Sequence, residues 1–94
     1  MNERKEYIDK LSLKLKTWDS EISKLEMKLK ESSDEVKVNL NKRIAELNIK
    51  KENLKNRIEV LKGSSEEAWS EIKNGIEKIE DEIKETIENV KSKF

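Results

Sequence analysis

Carboxylates, lysines and serines are the groups in this chain that could do chemistry, and their spacing decides whether they do. The densest acidic run is Glu80-Asp81-Glu82. General acid–base catalysis or metal binding would need such acids to converge on one point. Consecutive residues on a helix do not face one another, so the run reads as a solvated face. Ser12, Ser20 and Ser23 carry hydroxyls, but the chain has no histidine to take their protons and no cysteine. Histidine-assisted nucleophiles, thiolate chemistry, disulfides and the usual zinc sites are thereby excluded. No glycine-rich phosphate loop, nucleophile elbow or calcium-loop spacing occurs. The expectation is a non-enzymatic protein with no catalytic residues, no metal site and no cofactor.

Basic side chains raise the question of nucleic acid. Lys50-Lys51 and Arg57 could meet phosphates, but Glu52 and Glu59 are interspersed among them. The 21 basic and 21 acidic residues of the 94-residue chain cancel, where a nucleic-acid binder would more often show an uncompensated basic face. Nucleic acid is therefore disfavoured as a partner, and Trp18 and Trp69 read as core knobs rather than base-stacking platforms. Charge is distributed unevenly: residues 1–31 carry a net +1, residues 32–62 a net +3 and residues 63–94 a net −4. The middle and the end are electrostatically complementary.

The elements that position these groups are helices. Hydrophobic residues make up 33% of the chain and charged residues 45%, proline is absent, and the two glycines are Gly63 and Gly75. Such a composition suggests disorder when apolar residues are scattered and a coiled coil or long helix when they are periodic. Here they are periodic. Ile8, Leu11, Leu15, Trp18, Ile22, Leu25 and Leu29 follow one another at alternating steps of three and four, the seam of a coiled coil. Through Ser33 and Val36 the pattern runs on to Leu40, Ile44 and Leu47 with one stutter. Lys51 interrupts it, either as a charged core position that fixes register at a cost in stability or, the favoured reading, with its stem snorkelling to solvent, and Leu54, Ile58 and Leu61 resume it.

Gly63-Ser64-Ser65 is the clearest break. Gly63 suits a C-cap through its tolerance of positive φ, and Ser64 with Glu67 reads as a capping box. A last stripe follows: Trp69, Ile72, Ile76, Ile79, Ile83, Ile87, Val90 and Phe94. Asn74-Gly75 sits between phased apolar residues and stays inside the helix. Glu6–Lys10, Glu26–Lys30, Glu46–Lys50 and Glu80–Lys84 have the spacing of weakly stabilising pairs on a solvated face. Leu13 and Met27 lie off the seam, fourteen residues apart and on one face; they read as ordinary surface apolar residues, with a second contact face that would support a higher oligomer as the alternative.

The expected fold is all-α and a single domain, 1–94: a long helix over 3–62, a turn at 63–64 and a second helix over 65–93, folded back as an antiparallel coiled-coil hairpin. Its core would pair Ile58 with Trp69, Leu54 with Ile72, Leu47 with Ile79, Ile44 with Ile83 and Leu40 with Ile87, laying the basic middle along the acidic end. The alternative is a three-helix bundle with an extra turn near 31–34, where Ser32 and Glu35 could form another capping box. In the favoured arrangement the stripe Ile8–Leu29 has no partner within the chain. It is therefore expected to make a homo-oligomer, a dimer or higher, or to bind another helical protein.

Function is accordingly expected to be structural or interactive, through self-association of the 8–29 seam. The alternative is lipid-surface binding by the last helix, whose apolar face carries Trp69 and Phe94 near its ends. Its acidic polar face argues against this, because interfacial helices favour lysine and arginine. The opening MNERKEYIDK lacks the apolar core of a signal peptide, and no stretch approaches the ~20 apolar residues of a membrane span, so a cytoplasmic location is expected.

Two stretches, RKEYIDKLSLKLKTWDSEISKLE and LKGSSEEAWSEIKNGIEKI, resemble a family of short, uncharacterised bacterial coiled-coil proteins. The shared features are Tyr7, Leu11 and Trp18 in the opening, Gly63, Ser65, Glu67, Ala68 and Trp69 at the junction, and the Lys93-Phe94 ending. The resemblance implies a long helix, a short turn and a second helix. It implies no catalytic residues and no particular function.

Overall fold

Two short segments of the same type divide the chain: Lys30-Glu31-Ser32-Ser33-Asp34-Glu35 and Lys62-Gly63-Ser64-Ser65-Glu66-Glu67. Serine and aspartate compete with the helix for backbone hydrogen bonds and favour caps and turns. Lysine before the break and acids after it suit the dipoles of the helices on either side. In the computed structural model, which describes residues 3–94, the result is three helices: α1 (Glu3–Lys30), α2 (Asp34–Lys62) and α3 (Glu66–Lys91).

Both turns use one hydrogen-bond scheme. The N–H groups of Glu31 and Ser32 donate to the carbonyls of Lys28 and Leu29, as those of Gly63 and Ser64 do to Val60 and Leu61. The first serine then donates its hydroxyl backwards, Ser32 to the Lys28 carbonyl at 3.0 Å and Ser64 to the Leu61 carbonyl at 2.9 Å. Ser33 and Ser65 are the N-caps, their hydroxyls accepting from the N–H of Val36 and of Ala68.

The single helix over 3–62 is therefore corrected: it is broken at 31–33, and the three-helix alternative fits. A physical reason lies in the seam. In a lone chain an unbroken helix would leave Leu11, Leu15, Trp18, Ile22, Leu25 and Leu29 in water, and all six are buried here. Each burial is worth roughly 1.5–3 kcal/mol, far more than the helical bonds given up at one turn. The last helix begins at Glu66 and ends at Lys91 rather than spanning 65–93. The capping boxes expected at Ser64 and Ser32 are replaced by caps one residue later. Gly63 is the C-cap, but with φ −96°, so a left-handed conformation is not what places glycine there.

The helices run up, down and up in a rod of 50 × 18 × 18 Å. Leu40, Ile44, Leu47, Leu54, Ile58 and Leu61 of α2 and Ile76, Ile83, Ile87 and Val90 of α3 join the α1 residues in one core. Tyr7, Ile8, Val36, Trp69, Ile72 and Ile79 are partly buried against it. No helix among the described residues is long and apolar enough to cross a membrane.

Candidate interaction surface

The expected self-association seam is the inner face of α1, and the chain already uses it. Leu11, Leu15, Trp18, Ile22, Leu25 and Leu29 are buried and Ile8 is half-buried, against α2 and α3. The face of α3 that would have met lipid has the same fate: Ile76, Ile83, Ile87 and Val90 are in the core and Trp69, Ile72 and Ile79 are packed against it. Only Phe94 remains largely outside, with the Lys28 ammonium 5.9 Å from its ring centroid.

Charged residues turn out to tie the helices together. Glu80 is buried at 7% exposure, and the Lys14 ammonium of α1 donates to its carboxylate at 3.3 Å. Its neighbours point elsewhere, Glu82 to Lys50 at 3.6 Å and Asp81 into solvent. The acidic run thus has two structural ties and no convergent carboxylate pair. Glu80 and Lys50 make these bridges between helices rather than the local ones expected with Lys84 and Glu46. Lys51 does not snorkel to solvent: it is half-buried and paired with Asp19 of α1. Lys91 bridges to Glu21 at 3.1 Å, and Arg4 donates to the Ser64 carbonyl at 2.8 Å while lying 3.6 Å from Glu66.

At one end of the rod, Tyr7 and Trp69 meet with ring centroids 6.3 Å apart. The Lys73 ammonium lies 5.2 Å from the tyrosine centroid and 5.6 Å from that of the tryptophan, within cation–π range of both. The Tyr7 hydroxyl is buried and has no hydrogen-bond partner. Burial, with the Glu80 and Glu77 carboxylates adding to it, pushes this phenol far above the ordinary tyrosine value. At the same end of the rod an open cleft of about 520 Å³ is lined by Arg4, Lys5, Ile8, Asp9, Ser12, Lys62 and Glu66.

Large apolar side chains also stand outside the core. Leu13 and Met27 of α1 are 64% and 67% exposed. On α2, Val38, Ile49 and Val60 are 65%, 62% and 58% exposed, and they are eleven residues apart. Eleven residues is close to three helical turns, so each side chain is offset from the next by about 20°, the row spanning about 40° in all, with about 16 Å between neighbours along the axis. Ala45, Asn53 and Asn56 are exposed on the same side of α2. An eleven-residue spacing was the signal for this stripe in the sequence, hidden beneath the stronger three–four seam on the opposite face. The architecture defines the chain as an all-α three-helix bundle. No protein-family model, curated protein or solved structure matches it.

Proposed function

We propose that this chain is a non-enzymatic, cytoplasmic protein-interaction module that offers the outer face of α2 to a helix of another protein. The observation that supports this reading is the slowly turning row of Val38, Ile49 and Val60 in solvent. Scattered single apolar residues are ordinary on a surface. Three branched ones in register over about 33 Å of helix form a ridge of the kind an amphipathic helix packs against. Asn53 and Asn56 supply uncharged hydrogen-bonding groups beside the row, and the exposed Lys42 and Glu52 flank it. Kinship with the bacterial coiled-coil family that the chain resembles belongs to the same reading and adds no activity to it.

A photo-crosslinking amino acid placed at Ile49 tests the proposal in cells, with the same group at Glu88 of α3 as the control. The expected result is a discrete crosslinked species from position 49 that is lost when Val38 and Val60 are both changed to lysine. Equal labelling from the two positions would remove the basis for assigning the contact to α2.

A further inference from the structure

The apolar faces of α1 and α2 are in phase across the turn that separates them. Counting from Leu29, the last buried residue of α1, Val36 and Leu40 lie seven and eleven residues on. On an unbroken helix both would fall within about 20° of Leu29. Residues 31–33 include neither glycine nor proline, and no described residue has a positive φ, so nothing in the turn forbids helix. The bond from Ser32 to the Lys28 carbonyl spans four residues and survives in a helix. The N-cap of Ser33, a 3.5 Å bond from the Val36 N–H, would be lost on straightening.

We propose that a second copy of this chain is a partner, and that α1 is the element exchanged. Residues 3–62 straighten into one helix, and α1 of each copy takes the place beside α2 and α3 of the other. The geometry is self-complementary. In the bundle α1 runs antiparallel to α2. Two straightened helices laid antiparallel about a twofold axis near residue 32 therefore bring each α1 against the other copy's α2 in its original sense. Charge complementarity comes with it: Lys14 meets Glu80, Asp19 meets Lys51 and Glu21 meets Lys91, now between copies. No buried contact is given up. The cost is the entropy of association and two lost caps, set against the helical bonds gained through two turns. The exchange leaves Val38, Ile49 and Val60 on the outside, so it stands or falls independently of the α2 contact proposed above.

Light scattering and small-angle X-ray scattering over a dilution series test the exchange on three chains, each refolded at high concentration. These are the wild type, Ser32→Ala/Ser33→Ala, which removes the cap and favours helix through the turn, and Glu31→Gly, which copies the second turn into the first. The double variant is expected to dimerise at least tenfold more tightly than wild type, since two caps no longer oppose straightening. Its particle should have twice the 11.1 kDa chain mass. It should also reach about 90 Å, the length of 60 helical residues at ~1.5 Å each, against 50 Å for the monomer. Glu31→Gly should dimerise less than wild type. A folded double variant that stays monomeric at every concentration overturns the proposal, as does a dimer no longer than the monomer. Should the double variant fail to fold, wild type at high concentration decides by itself: an elongated dimer weakened by Glu31→Gly supports the exchange, and its absence overturns it.

Discussion

Ser33 and Ser65 stand thirty-two residues apart and start their helices with the same bond, each hydroxyl accepting the backbone N–H three residues on. The two bonds differ in length, 3.5 Å from Val36 and 3.2 Å from Ala68. Loss of an N-cap typically costs ~1 kcal/mol. Ser65→Ala should therefore destabilise the bundle by about that amount and lower Tm by roughly 4–8 °C. Ser33→Ala should cost less. Urea denaturation in dilute solution measures both.

The glycines should not behave as conformational necessities. Gly63 has a negative φ, and a β-carbon there would lie 4.0 Å from the Val60 carbonyl. Gly75 is inside α3, where an added β-carbon would lie 3.9 Å from the Arg57 guanidinium. Both separations are ordinary contact. Gly75→Ala should stabilise by about 0.5–1 kcal/mol through helix propensity, and Gly63→Ala by about 0.4–1 kcal/mol through the unfolded state. A fall in the denaturation midpoint for either would show a constraint at that position other than backbone conformation.

Opposite faces of α2 give a sharper contrast. Leu47 is fully buried, while Ile49 is 62% exposed. Leu47→Ala should cost about 2–5 kcal/mol through lost burial and the cavity left behind, enough to unfold much of a small bundle. Ile49→Ala should stay within about 0.5 kcal/mol of wild type. Equilibrium unfolding of the pair tests which face of α2 is core, independently of any partner.

How much of this was legible in the sequence depends on which signal carried it. The three–four stripes named the core: every residue from Leu11 to Leu29 and from Leu40 to Leu61 chosen by phase is buried. The turn at 31–33 was harder to read because the stripe keeps its phase through it and no glycine marks it. Its signal was the recurrence of lysine, one residue, two serines and two acids at Lys30–Glu35 and Lys62–Glu67. Periodicity sees only apolar residues, so it passed over this. Long charged side chains were harder still. Lys51 and Glu80 sit at or beside a seam, and only packing decides that they meet Asp19 and Lys14 rather than water or a helical neighbour.

The Lys14–Glu80 pair is asymmetric, with the lysine side chain 45% exposed and the glutamate side chain 9%. Removing the lysine strands a buried carboxylate, whereas removing both charges does not. Lys14→Met should destabilise by about 1–2 kcal/mol, less than for a fully buried pair because water reaches the lysine side. Lys14→Met combined with Glu80→Leu should recover most of the loss. A double-mutant cycle in urea measures the coupling, and additive effects would mean that the pair contributes nothing.

The buried hydroxyl of Tyr7 makes stability depend on alkaline pH. Burial disfavours the phenolate, and the Glu80 and Glu77 carboxylates oppose it further, so the folded pKa is raised. The unfolded chain has the ordinary value near 10. A raised folded pKa means that the contribution is fully present below pH ~10 and is lost as pH climbs above it, because only the unfolded chain then releases the proton. The effect is read as a difference from Tyr7→Phe, which cancels whatever is common to the two chains. The Tyr7 hydroxyl has no hydrogen-bond partner, and removing it should leave neutral-pH stability unchanged or slightly higher. From pH 10 to 12 wild type should lose stability faster than Tyr7→Phe, in step with growth of the tyrosinate absorbance on unfolding. Parallel losses in the two chains would mean that Tyr7 ionises freely in the folded bundle and that its hydroxyl reaches water.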